Sequence, residues 1–164
     1  MKQIKWFVIF GNLLFVLFFF NYSVIKKEMT LKKGKLVLLK LAPVDPRSLM
    51  QGDYMSLRYD IGQSMWKYND SLEYKGYCIV KLDSNNVAER VRFQSGKKPL
   101  NEGELLIKYR KRKWDISIGA ESYFFQEGTA EKYEKAKYGA VKVDKNGNSI
   151  LIGLYDENIK FIEP

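Results

Sequence analysis

The stretch GDYMSLRYDI, residues 52–61, decides how this chain folds. Side chains alternate across a β-strand. On a strand, Met55, Leu57, Tyr59 and Ile61 share one apolar face, while Tyr54, Ser56, Arg58 and Asp60 share the other. The first face predicts burial against a core. The second predicts contact with water or a groove. Gly52 supplies backbone freedom where the strand begins, and Asp53 can accept hydrogen bonds from nearby N–H groups.

Working outward, KLVLLKLAPVDP (35–46) reads as a strand broken by Pro43 and Pro46, which favour an extended corner over a ladder. Downstream, YCIVKLD (77–83) and VAERVRF (87–93) predict a hairpin around Ser84, Asn85 and Asn86. ELLIKYR (104–110), KWDISIG (113–119) and ESYFFQEG (121–128) read as further strands. TAEKYEKAKYG (129–139) predicts a short helix capped by Thr129 and ended by Gly139. Asn146–Gly147 then signals a type I′ turn between two closing strands. The expected fold is mainly β (α+β): an antiparallel β domain, barrel-like if its sheets close, with one short helix. A single N-terminal transmembrane helix precedes it.

That helix is predicted by residues 6–25, WFVIFGNLLFVLFFFNYSVI, which carry no charge. Twenty helical residues span roughly 30 Å, the thickness of a bilayer core. The run is long and bulky and lacks a small-residue cleavage site, so it reads as an uncleaved anchor (1–25). A basic connector (26–34) and a β-rich domain (35–164) follow. The part after the anchor holds 26 basic and 19 acidic residues, a net charge of +7. Such a domain is drawn to anionic headgroups, making membrane lipid the expected partner. No nucleic-acid-binding motif accompanies the charge, so nucleic acid is not expected. Two lysines precede the span and six lie between it and Leu41, a bias that on its own would keep the domain in the cytoplasm.

The chain contains no histidine and one cysteine, Cys78. An internal disulfide, a Ser-His-Asp triad, a Cys–His pair and a His-based zinc site are thereby excluded. No cofactor, metal ligand or catalytic residue is assigned.

Gly52-Asp53-Tyr54-x-x-Leu57-x-Tyr59 resembles the signature of the bacterial GDYXXLXY protein family at every specified position. LLKLAPVDPRSLMQGDY (38–54), ESYFFQEG and the terminal GNSILIGLY (147–155) resemble its other blocks, so the likeness covers residues 10–155. The resemblance implies a single-anchor membrane protein without an assigned activity, associated with multi-pass membrane proteins. It also implies a domain outside the cytoplasm, against the lysine count.

The candidate contact set comprises Asp53, Tyr54, Arg58, Tyr59, Arg47, Glu121 and Glu127, with Gly52, Leu57 and Gly128 as structural positions of the motifs. Arg58 suits a bidentate clamp on a carboxylate or phosphate, and Tyr54 suits stacking or donation. KYRKRKW (108–114) is the densest basic run and reads as a charged hairpin end or edge strand. The expected role is a membrane-tethered, extracytoplasmic accessory or sensor module that binds a membrane protein or small ligand. The alternative is a signal-peptidase-like or other hydrolase acting at the membrane surface, suggested by a loose likeness to signal peptidases in DPRSLMQGDYMSL (45–57). There Ser48 follows its proline rather than preceding it, and no lysine base stands out.

Overall fold

A computed structural model describes residues 2–42, 50–51, 54–63, 72–112 and 115–163. Helix α1 runs Lys2–Lys33 and ends where the Gly34 N–H donates to the Thr30 carbonyl. Its apolar stretch is long and hydrophobic enough to cross a membrane, with a mean hydropathy of 2.1 and no burial against the rest of the protein. The helix continues through the lysine-rich segment read as a connector. Lys32 and Lys33 lie in its last turn, where cations complement the helix dipole.

Among the described residues, ten strands follow in three open sheets. The first is antiparallel with order β1-β9-β10: β1 (Lys35–Lys40), β9 (Tyr138–Val143) and β10 (Ser149–Tyr155). The second has order β2-β3-β8: β2 (Met50–Gln51), β3 (Tyr54–Ser56) and β8 (Ser122–Phe124). The third has order β5-β4-β6-β7: β4 (Lys75–Leu82), β5 (Ala88–Gln94), β6 (Glu104–Lys111) and β7 (Ile116–Ser117). The mainly β, antiparallel architecture behind one apolar helix is as expected. The sheets stay open, so no closed barrel forms among the described residues.

Three backbone links gather the sheets around one core. Leu38 bridges Val87, and its N–H donates to Asn86 O at 2.8 Å. Leu41 bridges Tyr59. The Lys108 N–H of β6 donates to Gly147 O, in the turn before β10, at 2.7 Å. Val37, Leu39, Cys78, Ile107, Val141 and Leu154 are all fully buried in the core so formed.

Two local expectations are corrected. Residues 129–139 do not form an α-helix. A single 3-10 turn, Ala130–Tyr133, stands there, and Gly139 lies within β9. Thr129 does not cap it; its hydroxyl donates to Gln126 O at 2.7 Å. A ten-residue helix is marginal without docking. Tyr138 and Gly139 are instead claimed by pairing on both sides, with Lys40 and Leu39 of β1 and with Tyr155 and Leu154 of β10. The buried Tyr133 anchors the remaining turn against Tyr123 and Phe125, with ring centroids 5.2 and 5.1 Å away.

The Asn146–Gly147 turn is not type I′, which needs positive φ at both central residues. Only Gly147 is left-handed (φ 81°), and Asp144 pairs with Asn148 across a three-residue loop. Asp144 Oδ1 organises that loop by accepting from the N–H groups of Asn146 and Asn148 at 2.8 and 2.9 Å. The predicted hairpin at residues 77–93 is present, with Asp83 Oδ1 taking the N–H groups of Asn85 and Val87 at 2.8 Å.

Candidate functional site

The alternation predicted for residues 54–61 is realised in burial, but the strand is shorter than expected: β3 ends at Ser56, and Asp60–Gly62 form a 3-10 turn. Met55, Leu57, Tyr59 and Ile61 are buried, while Tyr54, Ser56, Arg58 and Asp60 are exposed. Leu57 is 2 % exposed and Tyr59 5 %. Tyr59 donates its phenol to the Ala120 carbonyl. Burial, and then the charge of Glu121, raise the phenol's pKa well above its ordinary value. Tyr59 therefore cannot serve as a surface contact: the pleat that exposes Arg58 turns it inward.

On the exposed face, Tyr54 lies opposite Phe124 of β8, with ring centroids 5.8 Å apart and the planes tilted by 41°. Phe124 is 73 % exposed, so the pair forms an aromatic patch open to water. Arg58 is exposed further along, where its carbonyl accepts from the Ala42 N–H at 2.8 Å. Arg47, Gly52 and Asp53 lie outside the described residues, as does Ser48.

Glu121 is turned into its own loop. Its carboxylate accepts from the N–H groups of Ile118 and Gly119 and from the Ser117 hydroxyl at 2.9 Å. The Arg112 guanidinium stands 4.0 Å away. Glu127 is exposed past the end of β8, ahead of Gly128, whose φ of 79° suits glycine. Glu121 is thus the staple of residues 117–121, and it positions the carbonyl that receives Tyr59.

Asp115, absent from the sequence-based set, lies close enough to Arg58, Glu121 and Arg112 for their charges to act on it. Burial raises its carboxyl pKa, partly offset by the Ile116 N–H at 2.7 Å and by the two arginines. Among the described residues, no three His, Cys, Asp or Glu side chains cluster as metal ligands would. The Cys78 thiol is buried, which pushes its pKa up to about 12.

A concavity lies on the outer face of the four-stranded sheet. It has a volume of about 630 Å³ and is lined by Lys75, Tyr77, Lys108, Arg110 and Arg112, with Ser95 and the 117–119 loop as walls. Antiparallel register brings these residues together. Arg110 pairs with Lys75 on one side and Ser117 on the other, and Lys108 pairs with Tyr77. Lys108, Arg110 and Arg112 recur at every second position of β6 and its continuation, so they project to one face. The alternate residues of β6, Ile107 and Tyr109, are buried in the core.

The charges in this cleft are only partly compensated. Lys108 Nζ donates to Asn148 Oδ1 at 2.6 Å, a neutral acceptor. Arg112 has Glu121 at 4.0 Å. Lys75 and Arg110 are exposed and form no ion pair with any described residue. Such an arrangement can hold a carboxylate or phosphate by charge-assisted hydrogen bonds. The run KYRKRKW carried the signal as period-2 spacing, but Lys75, Ser95 and Ser117 come from other segments that only pairing brings near.

No curated protein and no solved structure matches the chain. The sequence model of the GDYXXLXY protein family matches residues 16–154, most of the length, so the chain belongs to the GDYXXLXY protein family.

Proposed function

We propose that this chain is a membrane-tethered, extracytoplasmic accessory or sensor module that receives an anionic group in the cleft of Lys75, Lys108, Arg110 and Arg112. The carrying observation is the cleft itself: four cations on one face, of which Lys75 and Arg110 have no acidic partner among the described residues. Its volume falls in the range of small-ligand sites. The anionic group is a carboxylate or phosphate, carried by a small ligand or by an acidic segment of a multi-pass membrane protein. Helix α1 would hold the domain beside such a partner and raise its effective concentration without a large interface. Arg58 and Tyr54 present a second, smaller contact face on the signature strand.

Calorimetric titration of the full chain in detergent with citrate and with pyrophosphate tests the cleft. Binding that weakens as salt rises, and that is lost in Lys75→Gln/Arg110→Gln with unchanged melting, is the expected result. Equal binding by that variant would remove the cleft from the proposal. Affinity purification from membranes then separates the two sources: loss of one membrane protein with the variant identifies a partner, and its retention points to the small ligand. Protease accessibility in intact against permeabilised cells tests the side on which the domain lies.

A further inference from the structure

The C-terminal part of α1 and the β9–β10 turn enclose a groove of about 480 Å³. Tyr22, Ile25 and Met29 form its apolar wall, and Lys26, Lys33 and Lys145 bring three ammonium groups to it. Tyr22, Lys26, Met29 and Lys33 follow one another at spacings of four, three and four residues, so they share one helix face.

The junction is built rather than incidental. Thr30 is buried, and its hydroxyl reaches Lys26 O at 3.2 Å and Asp144 Oδ2 at 3.5 Å. A Cβ on Gly34 would stand 3.2 Å from both the Lys142 Cβ and the Val143 nitrogen, so the chain passes close under β9. Asp144 is the acid that lines the groove, and its oxygens are engaged by the N–H groups of Asn146 and Asn148 and by the Asn148 side chain. Lys97 adds a further amine beside the turn, donating to Asn146 Oδ1 at 2.8 Å. Lys26, Lys33 and Lys145 make no ion pair with any described residue, whereas Lys32 is paired with Glu28 at 2.7 Å.

The height of the groove along the helix identifies its occupant. Residues 6–25 fill a hydrocarbon core of roughly 30 Å. The polar layer outside the core is about 5–8 Å deep on each side, and the next eight residues, 26–33, climb about 12 Å, through that layer to just beyond it. Tyr22 and Ile25 therefore stand at the edge of the hydrocarbon and Lys26 among headgroups, while Lys33, rooted just above them, leans back towards them because helix side chains tilt to the N-terminus. We infer that the groove binds one anionic phospholipid of the leaflet from which the domain emerges. Its acyl chain would start along Tyr22 and Ile25, its glycerol would lie beside Met29, and its phosphate among Lys26, Lys33 and Lys145. This rests on α1 spanning the membrane, as proposed above. Held in this way, a lipid would fix how the β domain leans on the bilayer.

The full chain is reconstituted into nanodiscs of phosphatidylcholine, with and without phosphatidylglycerol. Lipids retained after mild detergent extraction are then weighed by native mass spectrometry. Expected is enrichment of phosphatidylglycerol over phosphatidylcholine on the wild type. Lys26→Gln/Lys33→Gln/Lys145→Gln should lower that enrichment roughly tenfold, and Lys145→Gln alone, on the rigid turn, by part of it. Lys27→Gln/Lys32→Gln removes equal helix charge away from the groove and should leave enrichment unchanged. An equal fall in that control, or no enrichment in the wild type, overturns the inference and leaves the anchor standing. Failure of the chain to enter discs of either composition overturns the anchor itself, and the inference with it.

Discussion

The ring of Tyr59 lies against Gly139: a Cβ on that glycine would stand 2.8 Å from Cε1 and 3.1 Å from the phenolic oxygen. The last residue of the signature is thus fitted to the central strand of another sheet. The phenol is held on the Ala120 carbonyl, so the ring cannot withdraw without breaking a buried hydrogen bond. Gly139→Ala should cost about 1–3 kcal/mol, the range for forcing an extra methyl into a packed core. Tyr59→Phe, which leaves the Ala120 carbonyl unpaired, should cost a comparable amount. Denaturant midpoints of the purified chain check both. An unchanged midpoint in Gly139→Ala would mean that Tyr59 is free to move.

Arg92 and Glu104 close the loop between β5 and β6. Two parallel bonds of 2.6 and 2.9 Å join the guanidinium to the carboxylate, and the Asn101 N–H adds another at 2.8 Å. The Arg92 bond, then the Asn101 backbone, hold the Glu104 pKa down at about 2. An unfolded glutamate titrates near ~4.3. Because the folded value is the lower one, the stability from this group is complete above the unfolded pKa. It is lost as pH falls through that value towards the folded one. Between about pH 5 and pH 2, Glu104→Gln should therefore lose stability less steeply than the wild type. Thermal melts across that window measure the slope, and parallel slopes would contradict the assignment.

How far the fold was legible in the sequence follows from the range of each determinant. The faces of residues 54–59 were readable because an extended chain's period is local, and Met55, Leu57 and Tyr59 sit inside as that period requires; Ile61 is buried too, but from a 3-10 turn. The stretch 129–139 carries helix-forming residues, yet Tyr138 and Gly139 went to β9, because pairing with β1 and β10 is invisible to local propensity. The cationic cleft was not legible: KYRKRKW reads locally as a charged hairpin end or edge strand, whereas β6 lies between β4 and β7, and only the register of three strands brings Lys75 and Ser117 to Lys108 and Arg110. Asp115 and Glu121 owe their environments to the folding back of residues 115–121, which no motif announced.

Cys78 should be silent towards thiol reagents. It is fully buried, and burial pushes its pKa up to about 12, so almost no thiolate exists at neutral pH. The native chain should show no modification by a disulfide reagent over the time in which the urea-unfolded chain reacts fully. Rapid labelling of the native form would show that the β4–β5–β6 sheet opens locally.

The two faces of the signature strand should separate stability from contact. Leu57 is in the core, and Leu57→Ala should cost about 2–5 kcal/mol with a matching fall in melting temperature. Tyr54 and Arg58 are exposed, and Tyr54→Ala or Arg58→Ala should stay within about 0.5 kcal/mol of the wild type. Under the binding proposal, the same two variants weaken recovery of a membrane partner in affinity purification. If they melt early, the outer face is also structural and the exposed aromatic pair of Tyr54 and Phe124 stiffens β3 against β8. If they melt normally and recover every partner, the contact surface lies in the cleft of Lys75 and Arg110 alone.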